Sequence, residues 1–114
     1  MDRGVFMIIK RAGKYLLLEK SNSRFCVPAG KVEKDESPFQ AAIRELQEEV
    51  GITATRLTLK ESFFYKKNGK ISHKVFIYEV NQYIGKPQNK EPKKHKRVFF
   101  GQKELINCII SSSL

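Results

Sequence analysis

The chain has 114 residues, a length that fits one compact domain around one core. Hydrophobic residues make up 40% and charged residues 30%, which excludes a disordered or fibrous chain. The net charge is +10, from 22 Lys and Arg against 12 Asp and Glu, and it favours a polyanionic substrate or partner without naming one. The apolar runs Val5–Ile9 and Tyr15–Leu18 are too short to span a bilayer, and no small-residue cleavage site follows them. A cytoplasmic protein without membrane contact is therefore expected. Cys26 and Cys108 are too few for a disulfide framework, and Cys26, between Phe25 and Val27, reads as a small buried hydrophobe.

The pattern predicts strands over Val5–Arg11 and Tyr15–Lys20, joined by a tight turn at Ala12-Gly13-Lys14. A polar loop at Ser21–Arg24 leads to a short strand at Phe25–Val27, which Pro28-Ala29-Gly30 stops. The clearest signals lie between Ser37 and Gly51. Ser37 is an N-cap, Pro38 suits the first helical position, and Gln40 completes a capping box. Gly51 suits the left-handed residue that ends a helix, and Ile52 can then fold back onto Leu46. Beyond it come strand material at Thr53–Tyr65, a hairpin turn at Asn68-Gly69 and a strand around Lys74–Val80. Lys86–Arg97 reads as a charged loop in which His95, among lysines, is a surface residue. Val98–Phe100 is a last short strand, Gln102–Ile110 a closing helix, and Ser111-Ser112-Ser113 a frayed tail.

At 100° per residue, Phe39, Ala42, Ile43, Leu46 and Val50 form one apolar stripe on the predicted helix. Glu45, Glu48 and Glu49, spaced i, i+3 and i+4, crowd another face. Like charges at that spacing cost about 0.2–0.5 kcal/mol per pair, and the helix C-terminus disfavours anions. Arg44, at i, i+4 to Glu48, offsets part of that cost, and a divalent cation would offset more. A glutamate cluster alone is usually a solvated face.

The joint spacing is what singles this cluster out. Gly30 is followed after five residues by Glu36, and seven residues later by Arg44-Glu45-Leu46-Gln47-Glu48-Glu49-Val50-Gly51-Ile52. This stretch resembles the box of the Nudix hydrolase family at every fixed position. Phe25-Cys26-Val27-Pro28-Ala29-Gly30 is similar to the family's lead-in, with Ala29 replacing a glycine. The shortness of the chain and the Arg44–Thr53 run look most like the MutT-type branch.

The resemblance implies an α/β fold, a Nudix-type α/β/α sandwich with a mixed β-sheet, forming a single domain over residues 1–114. It implies metal-dependent hydrolysis of a diphosphate linkage in a nucleoside triphosphate or other nucleoside diphosphate linked to X, with Mg²⁺ or Mn²⁺ as the cation. Glu45, Glu48 and Glu49 would be the metal ligands and Gly30 would add its carbonyl. One of the three, or a water they position, would be the base, and Arg44 would orient them. Glu36 is a lesser candidate. Family members often carry a further acid before the last strand; here Glu91 is the only acid of the 86–97 segment, against six basic residues. Lys94 and Arg97 of that segment are candidates for substrate phosphates. The alternative is a Nudix-fold module that binds RNA or a polyphosphorylated ligand through this basic loop. Either would act as a monomer or homodimer.

Overall fold

The structure is a computed structural model that describes residues 1–107. Its first strands are β1 (Asp2–Ile8), β2 (Lys10–Arg11), β3 (Lys14–Lys20), β4 (Phe25–Cys26) and β5 (Ala29–Lys31). The turn between β2 and β3 is two residues long, with φ of 52° at Ala12 and 78° at Gly13, the left-handed pair that a two-residue hairpin turn needs. The unbroken strand expected over Val5–Arg11 is in fact two. Ile9 interrupts it, and β1 and β2 lie in different sheets. The stop expected at Ala29-Gly30 is also a strand. Pro28 ends the pairing with β3, and the next three residues pair antiparallel with β1, Gly30 opposite Val5. Over these five strands the chain thus changes sheets twice, and the second change carries Gly30 to the helix.

The helix is α1 (Pro38–Val50). The Ser37 side chain accepts from the Gln40 N–H, the Gln40 side chain accepts from the Ser37 N–H, and Gly51 closes the helix at φ 71°. Local signals were sufficient here because each cap is satisfied within four residues of chain. The buried stripe is Ala41, Ala42, Leu46 and Val50. Phe39, expected in it, is 45% exposed and lies edge-on to Tyr78 at the rim instead.

After α1 come β6 (Thr53–Lys67), β7 (Lys70–Ile84), β8 (His95–Gly101) and a 3₁₀ turn at Lys103–Leu105. The hairpin of β6 and β7 turns at Asn68-Gly69 as expected, but its strands are longer than their alternation suggested. The closing helix expected from Gln102 is a single 3₁₀ turn through the described residues, and its remainder, with the Ser111–Ser113 tail, lies outside them.

One sheet runs β5-β1-β7-β6 and is mixed, with β1 parallel to β7 and the other pairs antiparallel. In the second sheet β3 pairs with β2, β4 and β8, all antiparallel. This is the α/β architecture with a mixed sheet that the sequence led us to expect, with α1 as the α-helix of the described residues. Alternation decides the layers. Val5, Met7, Leu16 and Leu18 join the helix stripe in one core cluster, while Phe6 and Leu17 join Val27 and Val75 in another. Both faces of β1 and β3 are covered, which is why they read as continuous apolar runs. Cys26 is buried. Among the described residues no helix is long and apolar enough to cross a membrane.

Candidate active site

The three glutamates leave α1 beside its apolar stripe and are graded in depth. Side-chain exposure is 51% for Glu48, 15% for Glu45 and 9% for Glu49. Arg44 organises the outer two. Its Nη1 donates to Glu45 Oε1 at 2.9 Å and to Glu48 Oε1 at 3.0 Å, and its Nη2 donates to the Lys31 carbonyl at 2.9 Å. Glu36, in the loop before the helix, grips Arg44 from behind, accepting from Nε at 2.8 Å and Nη2 at 3.1 Å. This fork holds the Glu36 carboxyl below its ordinary value. The same bonds, with those to Glu48 and Glu45, hold the guanidinium well above its own. Glu36 and Arg44 form one rigid bracket, and the guanidinium plane sets where Glu45 and Glu48 point.

The deeper carboxylates meet β5. Glu49 Oε1 accepts the Ala29 N–H at 3.0 Å. A Cβ at Gly30 would collide with the Glu45 carboxyl, so a side chain at this position would push that carboxylate aside. Burial first, and the neighbouring Glu49 second, push the Glu45 carboxyl up to about 7, against the pull of Arg44. Burial also raises Glu49, opposed mainly by His95 and the Ala29 N–H. Taking carboxylates out of water beside one another disfavours their charged forms.

The segment before β8 closes the site. The Gln88 and Lys90 N–H groups donate to the Val50 and Glu49 carbonyls at 2.9 and 3.1 Å, filling acceptors that a helix end leaves open. The Asn89 side chain clamps the turn, accepting from the Glu91 N–H and donating to the His95 carbonyl at 2.7 Å. His95 therefore points inward. It is 4% exposed, which overturns its reading as a surface residue. The reason is a register shift. Glu19 pairs with Arg97 and Lys20 with His95, leaving Lys96 as an extra residue in a β-bulge. Regular alternation would place His95 on the Arg97 and Phe99 face; the bulge moves it to the face of Val98 and Phe100, where α1 packs. His95 Nε2 then lies 3.6 Å from Glu49 Oε2 and 3.7 Å from Glu91 Oε1. Glu49, Glu91 and His95 each offer a ligand atom, all within 4.8 Å of one another.

These groups share a cleft of about 580 Å³. Gly30, Glu45, Glu48, Glu49, Glu91 and Lys94 of the expected site residues line it, while Arg44 and Glu36 stand behind. Arg97 does not line it: its guanidinium pairs with Glu19 at 2.9 Å and stacks on Phe99. Lys93 of the same basic segment lines it as well, and so do Lys20, Lys31 and His95, to which the sequence did not point. Lys20 and Lys31 are set there by strand pairing, which no local pattern announces.

The chain matches the NUDIX domain over residues 1–109. It is 45% identical to the 8-oxo-dGTP diphosphatase of Haemophilus influenzae over 64 residues, 56% of this chain and 46% of that protein. It is 40% identical to the CTP pyrophosphohydrolase of Escherichia coli over 92 residues, 76% of this chain and 67% of that protein. The chain thus spans about half the length of the first of these relatives. Among solved structures, the MutT NUDIX hydrolase of Burkholderia pseudomallei superposes with a TM-score of 0.80 at 26% identity, over 93% of this chain and 86% of that one. The glutamate-bearing helix, the glycine that faces it and these matches lead to one conclusion: the chain belongs to the NUDIX family.

Proposed function

We propose that the protein hydrolyses a diphosphate linkage in a nucleoside triphosphate or other nucleoside diphosphate linked to X, with Mg²⁺ or Mn²⁺. The observation that supports it most is the convergence of Glu45, Glu48 and Glu49 with Gly30 in one cleft edged by lysines. The donor set fits a hard divalent cation, because it is made of carboxylate oxygens held in place by Arg44 and approached closely by the Gly30 backbone. Glu45, Glu48 and Glu49 would hold the ion with the Gly30 backbone. Bound there, it would neutralise phosphate oxygens and acidify a water.

The chain's own residues do the rest. Arg44 fixes Glu45 and Glu48 and is itself fixed by Glu36. One of the three carboxylates accepts the proton of the attacking water. Lys94 and Lys93, which line the same cleft, meet the phosphates that the glutamates would repel. Glu91 reaches the cleft and takes the place of the further acid. The two named relatives carry the names of nucleoside triphosphates, which supports that substrate class here.

Phosphate release from nucleoside triphosphates, dinucleoside polyphosphates and ADP-ribose, with Mg²⁺, Mn²⁺ or chelator, tests this. The expected result is metal-dependent turnover of one class that Glu48→Gln lowers by at least about tenfold. Turnover untouched by that change would refute the assigned chemistry. The lysine rim favours a second reading, a module holding RNA or a polyphosphorylated ligand without turnover. Salt-sensitive binding with silence across the panel is its signature.

A further inference from the structure

His95 is the residue the reaction above does not use. Its side chain is 3% exposed, and neither ring nitrogen has a hydrogen-bond partner. A buried polar atom without a partner costs free energy, so an inward ring of this kind needs a reason. Its Nε2 faces two carboxylates at once, Glu49 at 3.6 Å and Glu91 at 3.7 Å. Both distances are too long for a hydrogen bond. They are close to the roughly 3.0–3.4 Å between neighbouring ligands of a metal whose bonds are about 2.1 Å. The backbone was also shaped for it: the Lys96 bulge turns the ring inward, and the Asn89 clamp holds the turn that carries both Glu91 and His95.

We propose that Glu49, Glu91 and His95 form a mixed nitrogen–oxygen site for a first-row transition cation, and that it gives the protein a preference for Mn²⁺, Co²⁺ or Zn²⁺ over Mg²⁺. The inference rests on the hydrolase reading for its place in the cleft, and Glu49 is shared between this site and the all-oxygen set of Glu45 and Glu48. The imidazole decides the preference. Mg²⁺ takes oxygen ligands and keeps its waters, whereas imidazole binds more tightly along the series from Mn²⁺ to Zn²⁺. Glu91 supplies the second oxygen, and its Oε2 is steadied by Lys94 at 3.2 Å.

The test is direct binding of Mn²⁺ to the substrate-free protein, read by pulsed electron paramagnetic resonance. The expected result is a nitrogen coupling to bound Mn²⁺ that is lost in His95→Gln, with Mn²⁺ affinity falling about tenfold or more and Mg²⁺ affinity little changed. Glu91→Gln should weaken Mn²⁺ while keeping the nitrogen coupling, so the proposal stays testable even if the His95 variant does not fold. Bound Mn²⁺ without nitrogen coupling overturns the proposal: the ion then sits on glutamates alone, and the hydrolase reading stands. No Mn²⁺ binding in the folded protein overturns both. Coupling present with no turnover of any substrate upholds this site and sinks the hydrolase reading.

Discussion

At the residue scale, Arg44 shows how little freedom the site has. One guanidinium contacts Glu33, Glu36, Glu45 and Glu48, so replacing it changes the aim of carboxylates it does not carry. Arg44→Lys keeps the charge but loses the planar fork. Its turnover is expected to fall about ten- to a hundredfold, in line with the loss of a group that orients ligands, while the thermal midpoint changes little. A steady-state assay beside a melting curve checks both. Unchanged turnover would mean that Glu45 and Glu48 hold their positions unaided.

Glu45 makes a second prediction, about pH. Its carboxyl is raised by burial from 4.5 to about 7, so the folded metal-free protein binds a proton that the unfolded chain releases. Such a group favours folding at low pH, and that advantage is lost as pH rises from about 4.5 through 7. Metal-free protein should therefore lose midpoint temperature over this window, and Glu45→Gln should flatten the slope. Added Mn²⁺ should raise the midpoint at pH 7.5 and lose that effect with chelator. A midpoint that rises across the window in both proteins would contradict the burial argument.

At the element scale, what was legible followed the range of the signal. The helix was read nearly complete, because Ser37, Pro38, Gln40 and Gly51 act on neighbours within one turn. Ser37→Ala should cost about 1 kcal/mol in denaturant unfolding, the usual loss for an N-cap. A loss near zero would show that packing alone holds the first turn. The glutamate cluster was legible for the same reason, since i, i+3 and i+4 spacing is a property of the helix itself. Other features needed the whole sheet. Ile9 and Pro28 mark sheet changes that look like ordinary strand and turn, and Lys20 reaches the cleft only because β3 runs beside β8. His95 was hidden twice: by lysines on both sides, and by a bulge that reverses its face. Phe39 has the helical spacing of a core residue but lies where the stripe leaves the sheet.

At the scale of the whole molecule, a chain with a net charge of +10 lines one cleft with the glutamates of α1 and with Lys20, Lys31, Lys93 and Lys94. On the proposed hydrolase reading a substrate phosphate must approach those carboxylates, and the cations that share the cleft make the approach favourable. Lys93 and Lys94 line the cleft; Lys66, Lys67 and Lys70, at the turn end of the β6–β7 hairpin, do not, and they contribute to the overall field. Contact charges in a wet cleft are worth about 1 kcal/mol each, whereas charges beyond about 10 Å are screened at ordinary salt. Neutralising Lys94 should therefore raise KM about fivefold with kcat little changed, and the effect should shrink as salt rises. Neutralising Lys66 and Lys67 together should leave KM within about twofold, despite removing more charge. If the hairpin variant matched the Lys94 variant, the +10 would act as a diffuse field, and the cleft rim would have no special part in capturing the substrate.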